Sequence, residues 1–123
     1  MRLSYSGGLM DDYQVTLRRL TVRDDRFVSS VLSSDEACAE SSHLDPKTHA
    51  LVRIGALIAL DAAPQSYAAC AEAARHAGAS EEEIVGALVA TLAVVGTPRV
   101  VSAAPKLGLA LGYDLDAALE QGY

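Results

Sequence analysis

Tryptophan is absent, phenylalanine occurs once, and aromatic residues make up only 5% of the 123 residues. Sandwiches and barrels of β-strands fill their cores with aromatic and β-branched side chains, so this composition disfavours them. Basic residues are also scarce. Ten Lys and Arg against sixteen Asp and Glu leave a net charge of −6, and no basic stripe exists to follow a phosphate backbone, which excludes nucleic acid as an expected partner. The longest apolar run, Ile84 to Thr97, stops at Pro98 and Arg99, short of the ~20 residues needed to cross a bilayer. Met1 to Gly8 hold no apolar stretch of signal-peptide length. The expectation is a cytoplasmic protein without a membrane partner. Only two cysteines occur, Cys38 and Cys70, with no Cys-x-x-Cys and no Cys/His spacing, so neither a disulfide framework nor a metal site is expected.

What the chain has in quantity is alanine, 22 residues, within a hydrophobic half. Alanine favours closely packed helices, and the length suits one domain. An all-α fold of about seven helices follows. Residues 1–43 read as an N-terminal arm, flexible over residues 1–10, and a helical hairpin formed by Asp11/Asp12 to Leu20 and Asp24 to Leu32. Ser33 to His43, rich in serine, reads as a loop with at most one helical turn. Residues 44–123 read as the main body. Asp45 caps a helix whose first residue is Pro46 and which runs to Leu60. Pro64 starts the next, ended by Gly78. Ser80 with Glu83 is a capping box, opening a helix to Val95. A further helix from Gly96-Thr97-Pro98 meets Pro105, expected to kink or interrupt it, and Asp114 caps a last short one. The pair Pro46–Leu60 and Pro64–Ala77 are joined so tightly that they must be antiparallel neighbours. The surplus of apolar helix surface predicts a homo-oligomer.

Three separated segments share one pattern: Leu44-Asp45-Pro46-Lys47-Thr48, Ala77-Gly78-Ala79-Ser80-Glu81-Glu82-Glu83-Ile84 and Val94-Val95-Gly96-Thr97-Pro98. In this order and spacing they resemble the carboxymuconolactone decarboxylase family, which includes the alkyl hydroperoxidase D-like proteins. The resemblance covers residues 44–104 best. It implies an alkyl hydroperoxidase D-like helical bundle assembled into trimers, hexamers or related rings. The peroxidase branch of that family carries Cys-x-x-Cys-x-x-x-His after the proline and a glutamate in the preceding helix. Counted back from Gly78, the histidine falls at Cys70, the cysteines at Ser66 and Ala63, and the glutamate near Ala50. All four groups are missing, so no dithiol is available to reduce a peroxide.

Asp45, His49 and Arg53 stand at i, i+4 and i+8 and share one helix face. Arg53 is the candidate anchor for an anionic substrate, since its guanidinium holds a carboxylate in a two-pronged fork. An ion pair with Asp61 or Glu72 is the equally weighted structural alternative. His49 is the candidate general acid or base, although a partly exposed, solvated imidazole is the plainer expectation there. Ser66, Tyr67 and Cys70 place a hydroxyl, a phenol and a thiol where the family has its reactive groups. Tyr67 and Cys70 are candidate catalytic groups and Ser66 a candidate substrate contact. Arg99 and Lys106 are secondary anion contacts. The resulting expectation is a decarboxylase-like lyase acting without a cofactor on a small carboxylated lactone or oxo acid. The alternatives are a redox protein using Cys70, with Cys38 as resolving thiol, and a non-catalytic ligand-binding or assembly protein.

Overall fold

Asp24, Ser34, Asp45, Ser80 and Asp114 each accept a hydrogen bond on a side-chain oxygen from the backbone N–H three residues on, at 2.8–3.2 Å. Each satisfies a donor that a helix start leaves orphaned. In the computed structural model, which describes residues 12–122, these caps open five of eight helices. The helices are α1 (Asp12–Thr21), α2 (Asp25–Leu32), α3 (Asp35–Ser42), α4 (Pro46–Leu60), α5 (Pro64–His76), α6 (Glu81–Val95), α7 (Thr97–Ala110) and α8 (Leu115–Glu120). No strand occurs among the described residues. The arm expected over residues 1–10, and Asp11, lie outside them.

The described residues fall into two compact units that divide between His43 and Leu44. In the first, α2 packs on α3, and the Arg19 guanidinium lies 5.5 Å from the centre of the Phe27 ring. Where a loop was expected between Ser33 and His43, α3 forms instead, so the described residues of this unit form three helices rather than a two-helix hairpin. The serine that suggested a loop is its cap: Ser34 accepts from the Ala37 N–H, Asp35 and Glu36 fill the first turn, and His43 in the left-handed region ends it.

In the second unit α4 packs on α5 and α6, and α7 packs on α5 and α6. The core between them is built from Ile54 and Ile58 of α4, Tyr67, Ala71 and Ala74 of α5, Ile84 and Leu88 of α6, and Ala103 and Leu107 of α7. Alanines at the fully buried positions 71, 74 and 103 let backbones approach closely enough to seat the isoleucines. Gly78, at φ +95°, ends α5: its own N–H donates to the Arg75 carbonyl and that of Ala79 to the Ala74 carbonyl. This closing pattern favours glycine because the left-handed position tolerates no Cβ cheaply. α7 runs unbroken through Pro105, so of the kink or interruption expected there the interruption does not occur. Proline in a helix interior removes one backbone bond at a cost of about 3 kcal/mol, and burial of Ala103 and Leu107 on either side of it offsets that loss.

Candidate functional site

The residues of the stripe Asp45, His49, Arg53 differ in exposure. Asp45 is exposed and committed to its helix, accepting from both the Thr48 N–H and the Thr48 hydroxyl at 2.8 Å. Those bonds hold its carboxyl below the ordinary range. His49, expected to be partly solvated, is buried at 9% exposure beside Ala50, on the inward side of α4 that carries Ile54 and Ile58. Arg53 is exposed. Of the residues at the head of α5, Ser66 is exposed, Cys70 is half-buried against the core, and Tyr67 is fully buried. Arg53 and Tyr67 thus differ in exposure, the one at the surface and the other inside the core. Neither cysteine is in a disulfide.

The Tyr67 hydroxyl is the one buried side-chain polar atom among the described residues that lacks a hydrogen-bond partner. Leaving a buried hydroxyl unpaired costs about 1–3 kcal/mol, and natural cores rarely keep one without a reason. Burial, and secondarily the charge of Asp61, push the phenol above its ordinary pKa of 10.0. At neutral pH it is therefore a protonated hydrogen-bond donor and not a base.

Asp61 organises the region next to it. It follows the last residue of α4 at φ +54°, with its N–H on the Ile58 carbonyl and that of Ala62 on the Leu57 carbonyl. This is the ending in which glycine is cheapest, yet the chain has a carboxylate there. Oδ1 of Asp61 accepts from the Ser102 hydroxyl at 2.7 Å and from Lys106 Nζ at 3.2 Å. Oδ2 lies 3.6 Å from the Arg99 guanidinium, and Lys106 also donates to the Ala62 carbonyl at 2.9 Å. The Ser102 bond, followed by Lys106, holds the Asp61 carboxyl below its ordinary pKa. The cluster is open to solvent: Asp61 is 39% exposed, Arg99 48% and Lys106 24%.

This cluster sits at the turn that leads into positions 63 and 66, where the resemblance places the missing cysteines. By sequence alone Arg99 and Lys106 are secondary anion contacts and Asp61 only a partner for Arg53. Their convergence with Ser102 emerges only in the fold. The signal was the spacing of residues 99, 102 and 106, which stand on one face of a helix.

A groove of about 600 Å³ runs between α4 and α6, lined by Leu51, Val52, Gly55, Ala87, Ala90 and Thr91, with Thr48 and Glu83 among its polar residues. Thr91 turns its hydroxyl onto the Ala87 carbonyl of its own helix at 2.8 Å, as its place in an apolar helix predicts. None of the candidate chemical groups lines this groove. Among the described residues no three His, Cys, Asp or Glu side chains converge as a metal site, and no helix is long and apolar enough to cross a membrane.

Comparison with protein families gives a match to the model described as the carboxymuconolactone decarboxylase family over residues 27–107, more than half of the chain. The match starts within α2, ahead of the segment in which the resemblance is clearest. No curated protein and no solved structure matches.

Proposed function

The chain belongs to the carboxymuconolactone decarboxylase family, and from that premise we propose that it handles a small carboxylated molecule, a lactone or oxo acid, as a lyase that uses no dithiol. The observation that supports this most directly is the convergence of Arg99, Ser102 and Lys106 at the turn before α5, where the peroxidase branch would carry its cysteines. Two cations and a hydroxyl suit a carboxylate and do not suit peroxide reduction, which needs an activated thiolate.

In such a reaction the bond between the departing carboxylate and its neighbouring carbon breaks. The electron pair moves into the adjacent carbonyl, carbon dioxide leaves, and a proton is delivered to carbon. The leaving carboxylate gains by entering a less polar setting, so the cations of α7 would hold a different acidic group of the substrate. Tyr67, protonated at neutral pH, is the donor for the developing enolate oxygen. Carbon dioxide release from carboxylated lactones by the purified chain, lost in Lys106→Met, is the expected result. Absence of release across such substrates leaves a ligand-binding or assembly protein.

The same reading includes self-association. Val85, Val89 and Leu92 lie at i, i+4 and i+7 on α6 and are exposed, as is Val52 of α4. An apolar stripe of this kind supports burial against a second copy. Sedimentation of the full chain at micromolar concentration tests it, with a purely monomeric species as the contrary result.

A further inference from the structure

Arg99, Ser102 and Lys106 follow one another at i, i+3 and i+7, so one face of α7 presents a guanidinium, a hydroxyl and an ammonium together. Among the described residues, Asp61 is the acid paired with them. It reaches them from a left-handed backbone position where a glycine would end α4 with less steric cost. With Asp61 in place the two cations still outnumber the one carboxylate, and this surplus of positive charge draws a second anion to the same donors. The Asp61 carboxylate also fits the donors unevenly. Oδ1 takes both short bonds, while the Arg99 fork stands 3.6 Å from Oδ2, longer than a charge-assisted hydrogen bond. Lys106 divides its donors between Asp61 and the Ala62 carbonyl. The Tyr67 hydroxyl is sealed from solvent, has no partner, and lies close enough to Asp61 to feel its charge.

We propose that Arg99, Ser102 and Lys106 form a carboxylate site that Asp61 occupies in the resting protein, and that a small oxo-carboxylate displaces Asp61 and engages the unpartnered hydroxyl of Tyr67. Asp61 is then a latch. It competes with the ligand for the same donors, and its release opens the path to the phenol. The ligand's carboxylate lies on Arg99 and Lys106, and its oxo group accepts from Tyr67. The inference rests on the choice of site made above, but not on decarboxylation.

The test is calorimetric titration of the full chain with 4-oxopentanoate at neutral pH and low salt. This oxo acid has its carbonyl too far from the carboxylate to assist loss of carbon dioxide. Asp61→Asn keeps the side-chain shape and tolerates the left-handed backbone, and is expected to bind about fivefold more tightly than the natural chain. Lys106→Met is expected to bind about tenfold more weakly, and Tyr67→Phe about fivefold more weakly. Binding by Asp61→Asn that equals or falls below that of the natural chain overturns the latch. Unchanged binding in Lys106→Met, or no binding by any form, overturns the site. Should Asp61→Asn fail to fold, the natural chain, Lys106→Met and Tyr67→Phe decide alone: weaker binding in both variants supports the proposal, and unchanged binding in either overturns it. Intact 4-oxopentanoate binding without carbon dioxide release from lactones refutes only the lyase reading.

Discussion

The Ser102 hydroxyl donates to Asp61 Oδ1 at 2.7 Å across 41 positions of sequence, fastening the turn between α4 and α5 to the middle of α7. Ala62 is drawn into the same fastening through Lys106. The head of α5, with Tyr67 one turn in, is thus positioned by a polar contact at the surface as well as by the core beneath it.

That contact predicts a specific acid response. Asp61, Asp45 and Glu83 all have their carboxyl pKa values lowered: Asp61 through Ser102 and then Lys106, Asp45 through Thr48, and Glu83 through the Ser80 N–H and Lys47. A carboxyl that binds its proton less readily when folded contributes stability that is complete above its ordinary value, 3.8 for Asp and 4.5 for Glu. The contribution disappears as pH falls through the lower folded value. Urea midpoints are therefore expected to stay level from neutral pH down to about 5 and to drop below that. Asp61→Asn should shallow the drop; an unchanged acid slope in that variant would show that the Ser102 and Lys106 bonds do not persist in solution.

Tyr67→Phe should make the protein more stable. It removes a hydroxyl that has no partner and leaves no other group unsatisfied, so the gain is about 1 kcal/mol, or a rise in melting temperature of about 3–6 °C for a chain of this size. The raised phenol pKa sharpens the comparison. Above pH 10 the unfolded tyrosine loses its proton before the folded one does, so the natural chain loses stability with rising pH, and the Phe variant escapes that part of the loss. A lower melting temperature in the variant would mean that the hydroxyl is bonded in solution.

The elements of the second unit could be read from local chemistry because their signals are local. Asp45 before Pro46, Ser80 with Glu83, Gly78 and Asp114 each act within a few residues of themselves, and the helices begin and end beside them. α3 escaped because serine both interrupts helices and caps them; only the bond from Ala37 to Ser34 distinguishes the two uses. The site was harder to read. The partners of Asp61 lie 41 and 45 positions away, and no periodicity within α4 or α5 announces them. Burial of Tyr67 follows the spacing of Ala71 and Ala74 on the same helix face, yet a phenol at such a position suits a pocket wall as well as a core. His49 and Arg53 share a stripe by spacing but differ in exposure, since four residues on a helix advance about 40° around its axis.

Ile58 and Leu60 make a paired test of where the core ends. Ile58 is fully buried, whereas Leu60, two residues on, is 75% exposed. Ile58→Ala should cost about 2–5 kcal/mol in urea unfolding because it leaves a cavity in a tightly packed interior. Leu60→Ala should change stability by no more than about 0.5 kcal/mol at concentrations where the chain is monomeric. A loss for Leu60→Ala that grows with protein concentration would place this residue in a contact between copies.

Cys70 should be inert to mild hydrogen peroxide. It is half-buried against the core, and it stands where the resemblance places the histidine of the family's peroxidase branch, so no imidazole stands there to draw off the thiol proton. A thiol becomes reactive when a nearby cation, helix start or base favours its thiolate, and an apolar wall does the opposite. Cys38, likewise in no disulfide, lies on α3 in the first unit. Intact-mass measurement after brief exposure to peroxide should return the mass of the untreated chain. The mass of one added oxygen on Cys70, or the loss of two hydrogens with Cys38 and Cys70 joined, would restore the redox reading and remove the lyase from first place.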